Sequence, residues 1–433
     1  MNKINIGLIG YGVVGSGVVQ LLKKRKNYIK NKFNTEFFVK AICDRSIDKK
    51  NTYGLALEGT LLTTRYQDLI KDPEIRIIIE LIGGMQPAKE IVTESLKSGK
   101  HVITANKELI ANCGKELFQL AKQSNSHLYF ESSVGAGIPV IKMITEGLAG
   151  NKVTALHCII NGTCNFILTE MTRRDFSFSQ ALDEAKQKGY AESNPTLDVS
   201  GVDSAHKLAI LVYLAFGKFM NVKEIYTEGI THISHDDIEY AESLDLSIKL
   251  LAIAKKVDKT IEARVHPTLI SKDHPLASIN GVDNAVYLSA DPMGELLISG
   301  EGAGQMTAAS GVVSDLINYA SRGQGAQLPS NLFSEATGLM LRPIDDIKTK
   351  FYLRFMATDK PGVLAQITTV LGEFEIGINS VTQKAHNPSA ASVPVIMLTE
   401  YTTEKMLRMA LEKIKSLPII KSKPVAIRME KLK

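Results

Sequence analysis

The sequence has no apolar run of eighteen or more residues, which excludes a membrane-spanning helix. It has no leader pattern, because residues 3–9 already read as a strand, so no signal peptide is expected. Cysteine is scarce. Cys43, Cys113, Cys158 and Cys164 lie far apart and form no CxxC, which argues against a zinc site and points to a reducing, cytoplasmic setting. There is no long Lys/Arg block either. A net charge of +5 spread along 433 residues is weak ground for nucleic-acid binding and sufficient for an anionic small molecule. Long disorder is also excluded, since 44% hydrophobic and 22% charged residues fit substantial cores in two or three domains.

What is present begins with residues 3–9 (KINIGLI), a strand that runs into Gly10-Tyr11-Gly12-Val13-Val14-Gly15, followed by Val18, Leu21 and Leu22 at helical spacing. This is GxGxxG in the setting it needs, strand before and helix after. The glycines permit a tight turn and close backbone approach to a pyrophosphate. The helix start supplies N–H groups and a positive dipole end. A second strand, residues 37–43, ends at Asp44-Arg45. An acidic residue there favours the ribose of NAD, and an arginine the 2′-phosphate of NADP. Both are present, with Lys49 and Lys50 behind, so the choice stays open with a lean to NADP.

Strands at 75–82, 101–105 and 127–132 alternate with helices at 87–98 and 107–124. That pattern predicts an α/β fold with a doubly wound parallel sheet, whose ligands lie outside the carboxyl ends of the strands. Gly83-Gly84 and Lys107 fall at such ends, and a lysine at a helix start is mildly disfavoured by the dipole. The next loop carries Glu131, Val134, Ala136, Ile138 and Pro139 among glycines. One carboxylate and bent backbone carbonyls can hold a hard cation such as Na⁺. A simple hinge between domains is the stronger reading of the spacing.

From residue 150 the pattern becomes α+β. Strands are expected at 153–161, 227–233 and 260–267, with a long helix over 236–257 and a hairpin at 285–299. Gly302 and Gly304 then open a helix over 307–320, which can close over the cofactor or return the chain to the first domain. Within this region residues 188–211 (KGYAESNPTLDVSGVDSAHKLAIL) hold Glu192, Asp198, Asp203 and Lys207 before a nearly unbroken apolar helix. Asp203 and Lys207 are one turn apart. Lys207 shares a face with Leu211 and Leu214, so it points inward and needs a partner. A purely structural ion pair is the plain alternative. Residues 350–428 show a βαββαβ order, which fits a ferredoxin-like domain behind a linker.

These motifs, in this order, resemble homoserine dehydrogenase of the kind with a C-terminal ACT domain. The resemblance rests on GLIGYGVVGSGV at 7–18, ELIGG at 80–84, ITANKELIA at 103–111, SSVGAGIPV at 132–140, NGTCNFIL at 161–168 and the 188–211 stretch, with DKPGVLAQIT at 359–368 resembling the ACT signature. It implies four regions: a Rossmann domain at 1–148, a substrate-binding, catalytic and dimerisation domain at 149–320 whose residues 302–320 return to the cofactor, a linker at 321–349 and the ACT domain at 350–433. It also implies interconversion of L-homoserine and L-aspartate 4-semialdehyde with NAD or NADP, a threonine effector, and a homodimer or homotetramer. Carried onto matching positions, Lys207 is the acid/base, Asp203 positions substrate, and Lys107 touches cofactor and substrate. Glu192 holds the substrate amino group, and Asp198 and Thr163 line the substrate. Gly83, Gly302 and Gly304 join Gly10–Gly15 at the cofactor. Glu131 and the carbonyls of Val134, Ala136 and Ile138 hold a structural Na⁺. The departure is Cys43, where some members place an arginine.

The chemistry is coherent. Hydride transfer to an aldehyde builds charge on oxygen that two lysines would stabilise, and one must deliver a proton. A lysine that accepts a proton during oxidation makes alkaline pH favourable. Cutting the chain near 350 should leave activity and remove the threonine response. Two alternatives stay in view. One is a dehydrogenase of the aspartate-semialdehyde or diaminopimelate type, the former needing a nucleophilic cysteine for which Cys164 is the candidate. The other is a ligand sensor without turnover.

Overall fold

The computed structural model describes residues 1–47, 59–322, 338–383 and 392–432. Along the chain the elements are β1 (Asn2–Ile9), α1 (Val13–Phe33), β2 (Thr35–Cys43), β3 (Leu61–Thr63), α2 (Tyr66–Lys71), β4 (Ile75–Glu80), α3 (Ala88–Lys97), β5 (His101–Thr104), α4 (Lys107–Gln123), β6 (Leu128–Tyr129), α5 (Val140–Lys142) and β7 (Lys152–Ile159). There follow α6 (Gly162–Arg174), α7 (Phe178–Gln187), α8 (Thr196–Val199), α9 (Val202–Phe216), β8 (Tyr226–Thr227), α10 (His235–Ser243), β9 (Leu246–Val257), β10 (Thr260–Ser271), β11 (Asp283–Asp291), β12 (Gly294–Glu301) and α11 (Gln305–Arg322). The last are β13 (Met340–Leu341), β14 (Lys348–Ala357), α12 (Val363–Glu373), β15 (Ile378–Gln383), β16 (Val393–Thr399), β17 (Thr402–Thr403), α13 (Glu404–Lys415) and β18 (Val425–Met429). None of the described helices is long and apolar enough to cross a membrane.

Two compact units emerge. The first comprises Met1–Thr154, Ala205–Ile225 and the described residues from Val282 onward to Arg322. Its sheet runs β3-β2-β1-β4-β5-β6, all parallel. The strands are short apolar runs buried on both faces, as helices on either side require; β4 buries Ile75, Ile77, Ile78 and Ile79 completely or nearly so. α11 packs into this core, where Ala309, Val312 and Leu316 meet Ile4, Ile6 and Leu8 of β1 and Val18 and Val19 of α1.

The second unit comprises Ala155–Ser204, Tyr226–Gly281 and the described residues from Gly338. Its mixed sheet runs β7-β9-β10-β18-β14-β16-β15. The four C-terminal strands are mutually antiparallel in the order β18-β14-β16-β15, crossed by α12 and α13. β18 does a second job. Its Arg428 and Met429 pair in parallel with Thr268 and Leu269 of β10, so the C-terminal sheet continues that of the middle region. A buried ion pair seals the same junction: Arg354 of β14 holds Asp237 of α10 through Nε at 2.6 Å and Nη2 at 3.0 Å, and the Tyr352 hydroxyl donates to that carboxylate at 3.1 Å.

Several expected elements differ. The long helix over 236–257 is instead α10 followed by β9. Asp245 takes a left-handed conformation (φ 56°) that ends the helix, and β9 lies between β7 and β10 with both faces covered. A strand buried on both faces loses its alternation and reads like a buried helix. The strand expected at 227–233 shrinks to β8, and that at 127–132 to β6 followed by a 3₁₀ turn, Glu131–Ser133. Of the expected linker, residues 323–337 lie outside the described residues, as do Lys49 and Lys50; the rest holds β13, a 3₁₀ turn at Ile344–Asp346 and the start of β14.

Candidate active site

In the first unit the chain turns from β1 into α1 through Gly10, at φ 97° with any Cβ only 2.7 Å from the Leu81 backbone, and Gly15, whose Cβ would lie 2.1 Å from the Gly10 carbonyl oxygen. No side chain caps α1, and Gly12 and Val13 are exposed at its start. Tyr11 is buried and Val14 half-buried. The Asp44 carboxylate is turned into this loop: Oδ2 accepts from the Tyr11 amide at 2.8 Å, and Oδ1 from the Ser46 amide and hydroxyl, each at 2.9 Å. Arg45 beside it is exposed.

The next two strand ends are cross-braced. Glu80, fully buried at the end of β4, accepts from the amides of Ile82 (2.8 Å) and Gly83 (3.3 Å) and from the Thr104 hydroxyl (2.6 Å). Burial raises its pKa against those three donors. Asn106 caps α4 by accepting from Leu109, and donates to the Gly84 carbonyl at 2.6 Å. Lys107, half-buried, is thereby held at the first residue of α4. The start of α11 rests on the start of α1: Gln305 donates to the Ser16 hydroxyl at 2.9 Å, and a Cβ on Gly17 would strike Gln305 at 2.8 Å. Gly302 permits close contact with Asn284, whose amide would lie about 2.0 Å from any Cβ there. Gly10, Gly12 and Gly15 on one side and Gly302 and Gly304 on the other therefore lie at two adjacent helix N-termini, a setting suited to an anionic dinucleotide.

The Glu131 loop is buried. The Glu131 carboxylate accepts from the amides of Ile141 (2.8 Å) and Lys142 (3.0 Å), and its own amide donates to Asp315 at 2.9 Å. Burial, then the charge of Asp315, pushes Glu131 up to about 7. Ala136 has a left-handed backbone (φ 52°) and its carbonyl accepts from Ser132; the Ile138 carbonyl accepts from Val140. The Ala136 and Ile138 carbonyls each keep a second lone pair, so with the Glu131 carboxylate the loop offers oxygen donors of the chemical kind a hard cation takes.

In the second unit Asn161 ends the segment after β7. Its Oδ1 caps α6 by accepting from the Cys164 amide at 2.8 Å. Its Nδ2 donates to both Asp198 Oδ1 (2.8 Å) and Asp203 Oδ2 (2.9 Å). One buried amide thus aligns two carboxylates forty residues on. Thr163 donates to the Tyr190 carbonyl at 2.6 Å, fixing the segment that leads to the exposed Glu192. α9 carries Asp203, buried, at the end of this unit's segment, and one turn later, among the first unit's residues, Lys207, also buried at 8% exposure. Asp203 is not reserved for the lysine, because Asn161 holds one of its oxygens.

Sequence profiles for homoserine dehydrogenase match residues 139–317, and for the NAD-binding domain of homoserine dehydrogenase residues 10–131. A homoserine dehydrogenase of Neisseria gonorrhoeae is 39% identical over the full length of both chains. The crystal structure of one from Thiobacillus denitrificans superposes with a TM-score of 0.91 at 40% identity, covering 100% of this chain and 99% of that one. This chain belongs to the homoserine dehydrogenase family. A hyperthermophilic archaeal homoserine dehydrogenase in complex with NADPH is also similar, with a TM-score of 0.63 at 27% identity, covering 75% of this chain and 100% of that one.

Membership makes the chain an NAD(P)-dependent oxidoreductase acting on L-homoserine and L-aspartate 4-semialdehyde. It sets aside the sensor and the cysteine-dependent alternative. Cys164 agrees, since it is fully buried and its thiol donates to the Asp198 carbonyl at 3.2 Å. Sequence reasoning missed Asn161, Glu80 and Asn106 as organising residues. A polar residue between a strand and Gly-Thr is a capping signal that could have flagged Asn161. Nothing local marks Glu80, which reads as the end of an apolar run.

Proposed function

We propose that Lys207 is the proton donor and acceptor at the substrate oxygen and that Lys107 stabilises charge on that oxygen. Asp203 and Asp198 orient the substrate, Thr163 lines it, and Glu192 holds the substrate amino group. The observation that carries this reading is the shared Asn161 amide, which fixes Asp198 and Asp203 at the approach to the helix bearing Lys207. The nicotinamide supplies or takes up the hydride when bound. The chain's own part is to hold the carbonyl against two ammonium groups and to move one proton at Lys207. Lys207→Ala should reduce kcat followed at 340 nm by more than about tenfold, at least about 1.4 kcal/mol in barrier, and leave cofactor affinity unchanged. Retention of a tenth of kcat or more sinks the assignment.

The cofactor preference we assign is NADP. Asp44 is committed to Tyr11 and Ser46, Arg45 is exposed to meet a 2′-phosphate, and the archaeal relative binds NADPH. Glu131 and the carbonyls of Val134, Ala136 and Ile138 would hold Na⁺ as a structural ion with no part in the chemistry. Its check is a Tm higher in NaCl than in choline chloride for the wild type and not for Glu131→Gln. The C-terminal βαββαβ region is assigned as an ACT module with threonine as effector, in a cytoplasmic homodimer or homotetramer. The division into 1–148, 149–320, 321–349 and 350–433 is retained as the functional one. Rates with and without threonine, and mass by light scattering, test these points.

A further inference from the structure

Arg428 lies on β18, near the end of the chain, and is 6% exposed. Its guanidinium gathers three groups. Nη1 donates to Glu228 at 2.6 Å, Nη2 to the Tyr226 hydroxyl at 2.8 Å, and Nε to Glu404, at the start of α13, at 3.1 Å; Nη2 also reaches Glu404. The Tyr226 hydroxyl donates to Glu228 at 2.8 Å, and His232 lies 3.1 Å from the other Glu228 oxygen. The stretch 226–232 is thus clamped from the C-terminal strand.

That stretch is the seat of the turn carrying the substrate carboxylates. The Ile230 amide donates to the Val199 carbonyl at 3.0 Å, and the Glu228 amide to Val265 at 2.8 Å. A Cβ on Gly229 would lie 2.0 Å from the Val199 carbonyl oxygen and 2.6 Å from Ser200 Cα, so the two backbones touch. Gly201, at φ 84°, is pressed against Thr227 and Val265, where a Cβ would stand at 3.1 and 3.2 Å. Its amide donates to the Asp198 carbonyl at 2.9 Å. Asp198 precedes this contact by one residue and Asp203 follows it by two.

We infer that Arg428 is a positioning residue for substrate binding: from the C-terminal module it fixes residues 226–230, and these fix the turn that presents Asp198 and Asp203. The inference rests on the proposed substrate role of those two aspartates. A displaced clamp lets the 198–203 turn sample more orientations, which lowers the fraction of enzyme competent to bind substrate and leaves the cofactor's binding residues untouched.

The test uses the full-length enzyme with Arg428→Met, Glu228→Gln and Tyr226→Phe, the last two keeping shape and packing if the first fails to fold. The expected result is a KM for homoserine raised about fivefold or more, a KM for NADP⁺ within twofold, and amide exchange accelerated over 196–204 but not over 75–104. Asp203→Asn is run alongside. If it is impaired and the clamp variants keep the wild-type KM for homoserine, the positioning role is wrong. Equal acceleration of exchange in both segments also overturns it, because the clamp is then only a global stabiliser. If Asp203→Asn itself retains the wild-type KM, the substrate role of the turn fails and the inference falls with it.

Discussion

Asn161 separates a capping duty from the positioning of the two aspartates proposed to hold the substrate, within a single side chain. Its oxygen caps α6, and its nitrogen donates to Asp198 and Asp203 at 2.8 and 2.9 Å. Asn161→Ser keeps a capping oxygen and replaces the NH₂ that serves both carboxylates by one hydroxyl on a shorter side chain, which cannot make the two donations together. Asn161→Asp also keeps the cap, but places a third carboxylate against the other two. Loss of an N-cap costs about 1 kcal/mol, and both variants are spared it. A hydrogen bond to a charged group is worth about 1.5–3 kcal/mol, so removing two weakens substrate and transition-state binding by roughly 1.5–3 kcal/mol if half the gross value is realised. That corresponds to about tenfold to a hundredfold in kcat/KM. Asn161→Asp should lose more than Asn161→Ser, because like charges are added at hydrogen-bonding distance. The assay is kcat/KM for homoserine at 340 nm, with Tm recorded for each variant. Asn161→Ser should melt a few degrees below the wild type and Asn161→Asp lower still, because it crowds three carboxylates in a buried cluster, while activity collapses in both by more than the loss of folded protein accounts for. A kcat/KM for Asn161→Asp within fivefold of wild type would refute the shared-donor account of the two aspartates.

Arg45→Ala should lower kcat/KM with NADP⁺ about tenfold, as expected for one charge-assisted contact with a phosphate, and leave NAD⁺ within twofold; equal losses with both would mean Arg45 does not read the 2′-phosphate. Acid should destabilise the fold through His101, which burial foremost, then His127 and Arg76, hold down at about 4. Its folded pKa lies below the ordinary value, so its contribution is complete above about pH 6.5 and is lost as pH falls toward 4. With its partial exposure discounted this is worth roughly 2 kcal/mol. His101→Gln should flatten the Tm–pH curve in that window, and an unchanged slope would exclude His101 as the source.

The first unit was legible because its information is local. GxGxxG sits between an apolar strand and a helix, and the strand ends at Gly83 and Lys107 follow one another at α/β spacing. Lys207 was legible because its helix has no polar face to hide a lysine. What escaped was set by partners distant in sequence. β9 is buried without alternation over residues 248–254, and a helix buried all round has the same composition. Glu80 matters through Thr104, and Asn161 through carboxylates at 198 and 203; no residue pattern near either announces that.

The C-terminal region shows this limit most clearly. Its βαββαβ order is complete in itself, which made removal near residue 350 look harmless to catalysis. The sheet argues against that expectation. β18 is shared between β14 and β10, so the cut would strip the β10 edge of its partner over Thr268 and Leu269 and take Arg428 away from Glu228. A carboxylate left in a half-buried niche without its cation is strongly destabilising, and the 198–203 turn rests on that segment. Activity should therefore fall with the truncation whether or not threonine binds there. A response to threonine has to be dissected in the full chain, by substitution within residues 359–362 at the start of α12, where neither β18 nor Arg428 is disturbed.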